Sequence, residues 1–552
     1  MSAARDVPFG AVRGDRVCGW LEQTRSEVLA RDGVVATSQP LAAQAGLDIL
    51  KRGGNAFDAA VAAAAVTNVV EPASAGIGGD LFVLAWLASE RRLIALNASG
   101  RAPSGATAHH LARRGFSDRM PMHGIDAATV PGVVDGWDVL LRHAGSMEFA
   151  AVLEPAALLA ERGFAVSERI RSDWIRGAPV LALDAHSSRV YLPGGAPPPP
   201  YAVFRNPDLA RTLRILQQHG KDAFYEGEIA EAIVARSTSL GGTMSLEDLA
   251  ATRATWETPL STRYRGHDLY EMPPSTQGFA ALQMMNILEA AQARFGVSLA
   301  ELGPRSPQYW HLLIEAKKLA FADLHRHNAD PGFAEVPIAR LISKDYAAHL
   351  CTRIDPHRAT PAAQSPAATG GTVYLCSADR WGNMVSFIYS IYDDFGAGIT
   401  IPGYGFVLNN RGALFSLDPN SPNVIAPGKR PFHTLLPGFV LRDGLPLLAF
   451  GLMGGSQQAQ GHAQILVDVI DLEANLQAAS DAARFNHSQE TQVLALESRL
   501  HALVGAQLQA MGHSVEAANG ERMGGFQGIR LHPGGVYAAA SDHRKDGLAA
   551  GW

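Results

Sequence analysis

Gly370-Gly371-Thr372 stands about two-thirds of the way along the 552-residue chain, where β-forming residues begin: Val373-Tyr374-Leu375-Cys376-Ser377-Ala378. A threonine at a strand start, directly after a glycine pair, has a chemical use. If the Gly371–Thr372 bond is cut, Thr372 gains a free α-amine beside its own hydroxyl. The amine, with a pKa of about 7.7–8.0, is then the base and the hydroxyl the nucleophile. The run before it, Pro356 to Thr369, holds three prolines and no large apolar side chain. That composition predicts a mobile loop able to present the bond, with residues 356–371 as a flexible segment ahead of the cut. The same residues also fit an ordinary linker entering an ordinary strand.

Other candidate chemistry is weaker. His311/Glu315 and Asp323/His327 sit at i,i+4 on one helical stretch, a spacing that can present metal ligands. No third ligand or HExxH pattern accompanies them, so they read as surface pairs, and no metal or cofactor is expected. Gly76-Ile77-Gly78-Gly79-Asp80 follows Glu71-Pro72-Ala73-Ser74 and leads into a strand, the reverse of a dinucleotide fingerprint. It reads as a tight turn where backbone meets backbone. The three cysteines, Cys18, Cys351 and Cys376, form no CxxC pair and no disulfide framework, and Cys376 reads as a small core residue.

The elements that must position Thr372 follow from periodicity and punctuation. Thr372–Ala378 and Met384–Tyr392 read as a hairpin around the turn residues Asp379-Arg380-Trp381-Gly382-Asn383. Upstream, Val34–Ser38 is a short strand, a helix from Gln39 or Pro40 ends at Gly53-Gly54, and Asn55 caps a buried Ala/Val helix to Val69. Leu81–Leu87 and Leu93–Asn97 are strands, and a helix runs from about Val133 to His143. Phe149 to about Leu260 is mainly helical, one helix follows through Leu288, and Ser306-Pro307 opens a long one to about His327. Beyond the hairpin come strands Gly405–Leu408, Gly438–Leu441, Leu447–Gly451, Gly528–Leu531 and Val536–Ala540, with helices Gln457–Leu472 and Leu476–Ala482. The class is α/β, with sheets covered by helices.

Composition sets bounds: 47% apolar and 18% charged residues with a net charge of −6 leave no footprint for nucleic acid or an anionic membrane. No apolar run is long enough to span a bilayer. Met1–Trp20 has no apolar core of a signal peptide, so the expected location is cytoplasmic.

Gly371-Thr372, Asp379, Gly382-Asn383, Phe395-Gly396, Leu408-Asn409-Asn410, Pro427-Gly428-Lys429-Arg430-Pro431 and Gly454-Gly455-Ser456 recur in the order and spacing of the γ-glutamyltranspeptidase family. So do Gly53-Gly54-Asn55-Ala56-Phe57-Asp58, Gly76-Ile77-Gly78-Gly79-Asp80 and the closing Ser541-Asp542-His543-Arg544-Lys545-Asp546-Gly547. The resemblance runs from about Gly33 to Trp552. It implies a four-layer αββα N-terminal-nucleophile hydrolase, made as one chain that cuts itself between Gly371 and Thr372. The products would be a large subunit (1–371) and a small catalytic subunit (372–552), packed as an αβ heterodimer, with further pairing into α2β2 left open. The resemblance also implies Thr372 as nucleophile, Ser390 as the hydroxyl that holds it, and the N–H groups of Gly454 and Gly455 as the oxyanion hole.

The sequence departs from γ-glutamyl enzymes in the pocket. Ser99 aligns with the arginine that grips the substrate α-carboxylate, Leu414 with the acid that holds its α-amine, His433 and Thr434 with two serines, and Tyr392 with an asparagine or glutamate. A leucine cannot neutralise an ammonium. Arg101, Tyr392, Arg411, His433 and Thr434 are the expected substrate-binding residues, in a cationic pocket suited to a carboxylate; Lys429-Arg430 reads as structural. The connection from Phe415 to Lys429 is too short for the family's lid loop, so the cleft should be open to water and favour hydrolysis. The expected substrate is a small amide, either γ-glutamyl or a related carboxylate-bearing acyl amide. The alternatives are oxamate or glutaryl/cephalosporin acylase activity, and, from another class, an unprocessed non-catalytic binding protein.

Overall fold

The computed structural model describes residues 23–361 and 370–552. The readings made of Met1–Trp20, of Cys18 and of residues 362–369 lie outside the described residues.

Local signals build the first layer. The Asn55 side chain accepts from the N–H groups of Phe57 and Asp58, and Asp58 Oδ2 accepts from the Asn55 N–H at 2.8 Å, a reciprocal cap. The helix it opens, Ala56–Val70, is buried at every residue, as its small apolar composition requires. With Pro40–Lys51, Val133–Ala144 and Phe149–Arg162 it covers the outer face of a seven-stranded sheet.

That sheet runs in the order Leu548–Gly551, Gly33–Thr37, Val373–Asp379, Met384–Ser390, Asp80–Leu87, Arg92–Ala98, Thr255–Glu257. A second seven-stranded sheet runs Val28–Ala30, Val536–Ser541, Phe526–His532, Leu445–Leu452, Pro437–Arg442, His267–Glu271, Leu260–Tyr264. The facing sides share a core of Phe82, Leu84, Tyr374, Cys376, Ile388, Phe439, Ala449 and Ile529. Helices Gly278–Phe295, Pro307–His327 and Gln457–Ile470 close the far side. The result is the expected αββα stack. Both sides of the Gly371–Thr372 bond contribute strands to each sheet, so a cut there would leave the two fragments sharing both sheets.

Cys376 is buried between the sheets, as read, and burial pushes its thiol pKa far up. The 76–80 turn is where backbone meets backbone: a Cβ on Gly79 would lie 2.3 Å from the Ser390 carbonyl, and one on Gly78 2.1 Å from that of Val407. Among the described residues no helix is long and apolar enough to cross a membrane.

Three expectations need correction. Gly405–Leu408 is not a strand; its only pairing is the isolated Thr400–Val407 bridge, with Gly403 and Gly405 at positive φ. The described start of the flexible segment is tied down, since Ala359 N–H donates to the Met511 carbonyl at 2.7 Å and Thr360 N–H to Glu315 at 3.2 Å. His311, Glu315 and Asp323 are not surface residues but buried ones. The fold brings His513 to His311, with Nδ1 to Nε2 at 2.9 Å, so His311, Glu315 and His513 form a three-group cluster that could hold a metal ion. Lys318 lies inside it, 2.7 Å from Glu315 Oε1 and 3.4 Å from His513 Nδ1, and His311 Nε2 meets the Asp355 carbonyl at 2.7 Å. An ammonium already supplies the charge there, and the cluster reads as an anchor for Asp355–Thr360.

Candidate active site

Strand Val373–Asp379 pairs antiparallel with Met384–Ser390, with Val373 opposite Tyr389. One more step in that register sets Thr372 opposite Ser390. The hairpin tip is fixed by Asp379, which accepts from the N–H groups of Trp381, Asn383 and Ala56 and from the Asn383 side chain. The end of the strand remote from Thr372 is therefore tied down. Thr372 is buried, and its Oγ1 lies 2.6 Å from the Gly371 carbonyl oxygen, folded back on its own preceding peptide.

Gly370 and Gly371 pass through a crowded channel. A Cβ on Gly370 would lie 2.7 Å from the Tyr392 carbonyl and 3.0 Å from its ring. One on Gly371 would lie 3.2 Å from Ser74 Oγ and 3.3 Å from Asp394 Oδ1. Burial pushes the Asp394 carboxyl up to about 6 against the lowering effect of Arg176, 2.8 Å away. Tyr392 carries φ 82°, a left-handed conformation that costs a bulky residue strain and is concentrated at functional sites.

Gly454-Gly455-Ser456 turns the chain from strand Leu445–Leu452 into helix Gln457–Ile470. Gly454 has φ 115° and Gly455 φ 61°, which glycine adopts without steric cost. Among the described residues the N–H groups of Gly454 and Gly455 have no hydrogen-bond acceptor. They precede a helix N-terminus, where orphan donors and the macrodipole both favour an anion. Gln277 Nε2 bridges the carbonyls of Gly455 at 3.0 Å and Thr434 at 2.6 Å, which locks the turn to the neighbouring loop. A cleft of about 370 Å³ opens beside Gly370 and Gly454 and extends to Lys317, His487, Gln489 and Arg522.

On the opposite side, Ser390, Tyr392, Arg411, His433 and Thr434 form one buried cluster. Arg411 donates to Ser390 Oγ at 2.7 Å, Thr434 Oγ1 at 3.1 Å and Asp80 Oδ2 at 3.3 Å, with its guanidinium carbon 4.7 Å from the centre of the Tyr392 ring. His433 Nε2 is 3.4 Å from Asp80 Oδ2. Burial alone would raise the Asp80 carboxyl, but His433, Arg411 and the Gly100 N–H outweigh it and hold the group below its ordinary range. Burial, with Arg411 next, pushes His433 down to about 4, so the imidazole is neutral near neutrality.

Arg101 stands apart from this cluster. Its side chain is 44% exposed, donates to the Gly428 carbonyl at 2.9 Å, and lines a separate cavity of about 100 Å³ with Asp248, Thr252 and Arg253. The Ser99 hydroxyl is spent on Asn97 at 2.7 Å. Lys429 caps the carbonyls of Pro422 and Val424, consistent with a structural role. The Phe415–Lys429 connection is pinned by the same bonds and by Asn423 Nδ2 to the Leu414 carbonyl at 2.7 Å. Asp80 was missed as a site residue. Its signal was a carboxylate ending a glycine turn, legible only once the chain brought Arg411 to it.

The model of the family described as gamma-glutamyltranspeptidase matches residues 42–552. The glutathione hydrolase-like YwrD proenzyme of Bacillus subtilis (strain 168) is 36% identical over 531 residues, 95% of this chain and 99% of the relative. The oxamate amidohydrolase proenzyme of Klebsiella pneumoniae is 36% identical over 554 residues, 96% of this chain and 100% of the relative. The crystal structure of cephalosporin acylase from Bacillus halodurans superposes with a TM-score of 0.89 at 37% identity, covering 100% of this chain and 99% of that one.

Proposed function

Since the chain belongs to the γ-glutamyltranspeptidase family of N-terminal-nucleophile amidohydrolases, we propose that it matures by cutting itself at Gly371–Thr372 and then hydrolyses small amides through an acyl-enzyme on Thr372. One observation carries this reading: Thr372 Oγ1 sits 2.6 Å from the Gly371 carbonyl oxygen at the entry of strand Val373–Asp379. In maturation Oγ1 attacks the Gly371 carbonyl carbon, its proton passes to the departing Thr372 nitrogen, and an ester replaces the peptide. Water then hydrolyses the ester, leaving a Gly371 carboxylate and a free Thr372 amine. In turnover that amine takes the Oγ1 proton as Oγ1 attacks the substrate carbonyl, and returns it to the leaving amine. The N–H groups of Gly454 and Gly455 hold the oxyanion, and water releases the acid. No cofactor is required. The two fragments work as an αβ unit, in the cytoplasm, and pairing into α2β2 is compatible with this reading.

The acyl group is γ-glutamyl or a related carboxylate-bearing acyl. A second reading, an oxamate or glutaryl amide, is favoured by two residues. Leu414 offers no anion for an α-ammonium, and the hydroxyl of Ser99 is already bonded to Asn97. Turnover of oxamate, glutaryl-p-nitroanilide and γ-glutamyl-p-nitroanilide by the matured enzyme separates them. Preference for the first two supports the second reading; dominant γ-glutamyl turnover refutes it. No turnover of any amide by fully cut enzyme would refute the hydrolase assignment.

A further inference from the structure

Asp80 is fully buried at the start of the strand that flanks Met384–Ser390, where its backbone pairs with Ser390 itself. Its carboxylate accepts from the Gly100 N–H at 2.6 Å and from Arg411 Nε at 3.3 Å. The other two nitrogens of Arg411 go to Thr434 and Ser390, and the Tyr392 ring lies against the guanidinium. Each nitrogen of the buried guanidinium thus makes one of these bonds, which fixes its plane.

The consequence falls on Ser390. A hydroxyl oxygen has two acceptor positions and one proton to give. One acceptor position takes Arg411 Nη2 at 2.7 Å and the other the Tyr392 N–H at 3.2 Å. The Ser390 proton is what remains, and the residue opposite is Thr372 by strand register.

We infer that the buried Asp80–Arg411 pair consists of positioning residues, which force the Ser390 hydroxyl to act as a hydrogen-bond donor to Thr372. This inference rests on the Thr372 reading above and gives Arg411 a different task from the substrate contact expected from sequence. A donor held there stabilises the negative charge that develops on Thr372 Oγ1 during attack. It does so without reorganisation, because its two acceptor contacts are already made. The cation behind Ser390 polarises the hydroxyl and strengthens its donation. Thr434, bonded to the same guanidinium, and Gln277, bonded to Thr434 and Gly455, tie this arrangement to the oxyanion turn. The nucleophile's donor and the oxyanion's donors therefore share one scaffold.

The test is a cycle on the full chain with Ser390→Ala, the charge-free pair Asp80→Asn/Arg411→Met, and the triple combination. The paired variant leaves no lone buried charge, and urea midpoints establish that each protein is folded. Self-cleavage rate, kcat and KM are measured on each, and Arg411→Lys serves as the conservative rescue. The expected result is a loss of about 10²-fold in kcat for Ser390→Ala and for the pair, with KM little changed. The triple variant should be no slower than Ser390→Ala alone, because the pair acts through that hydroxyl. Arg411→Lys should recover part of the loss. Additive losses in the triple variant, or a paired variant with full kcat, overturn the inference while leaving Thr372 as nucleophile. A wild-type chain that never cuts overturns both.

Discussion

Gly451 lies on strand Leu445–Leu452, three residues before Gly454, and it faces Tyr374, two residues after Thr372. A methyl at Gly451 would stand 2.4 Å from Cδ2 and Cε2 of the Tyr374 ring. Carbon–carbon contact needs about 3.5–4.0 Å, so Gly451→Ala must part the two sheets by about 1 Å at this point. Gly451 is not among the positive-φ glycines, which leaves the effect steric. Overpacking of this kind costs about 1–3 kcal/mol of stability. The same separation moves the nucleophile strand away from the oxyanion turn, and a displacement of about 1 Å costs about 10²-fold in rate. Gly438→Ala is the matched control. Its methyl would meet the Phe450 ring at 2.5 Å on the same sheet, but on the side packed against helices. Both variants should lose similar stability by urea midpoint, while only Gly451→Ala loses about two decades of kcat and of self-cleavage rate. Equal activity losses in the two, or full activity in Gly451→Ala, would refute the claim that this close contact sets the distance between nucleophile and oxyanion hole.

Leu414→Asp places an anion at the position that the family resemblance aligns with the acid holding the substrate ammonium. A hydrogen bond to a charged group contributes about 1.5–3 kcal/mol, so kcat/KM for γ-glutamyl-p-nitroanilide should rise about 10- to 100-fold relative to glutaryl-p-nitroanilide; an unchanged ratio would remove Leu414 as the determinant. His433 carries a pH signature. Its folded pKa of about 4 lies below the ordinary 6.5, so it stabilises the fold fully above pH 6.5 and loses that contribution as pH falls toward 4. The amount is about 3 kcal/mol. His433→Gln should therefore lose less stability than wild type between pH 7.5 and 4.5 in urea titrations, and parallel declines would show that His433 is not buried neutral.

Local chemistry explains what the sequence made legible. The Ser306-Pro307 start and the Asn55 cap are contained within a few residues, and helices Pro307–His327 and Ala56–Val70 appear where those signals put them. The hairpin Leu260–Tyr264/His267–Glu271 was passed over, although its Arg265-Gly266 turn, with both residues at positive φ, is a two-residue hairpin signal. Gly405–Leu408 looked like a strand by composition, but its flanking glycines turn it into a loop. His311 and Glu315 read as a surface pair because nothing near them in sequence announces His513, 202 residues away. Thr372, Ser390 and the glycine pair are assigned through family spacing. The pairing of Asp80 with Arg411 was not legible, since the contact spans 331 residues and exists only after two strands and a turn have met.

Thr372 is the residue proposed to cut the chain and then do the chemistry. Intact mass of the purified wild type and of Thr372→Ala tests this most directly. The prediction is two wild-type fragments, the smaller beginning at Thr372 with a free amine, and one uncut chain in the variant. A wild type that stays whole on long incubation, or a Thr372→Ala chain cut at the same bond, would contradict it.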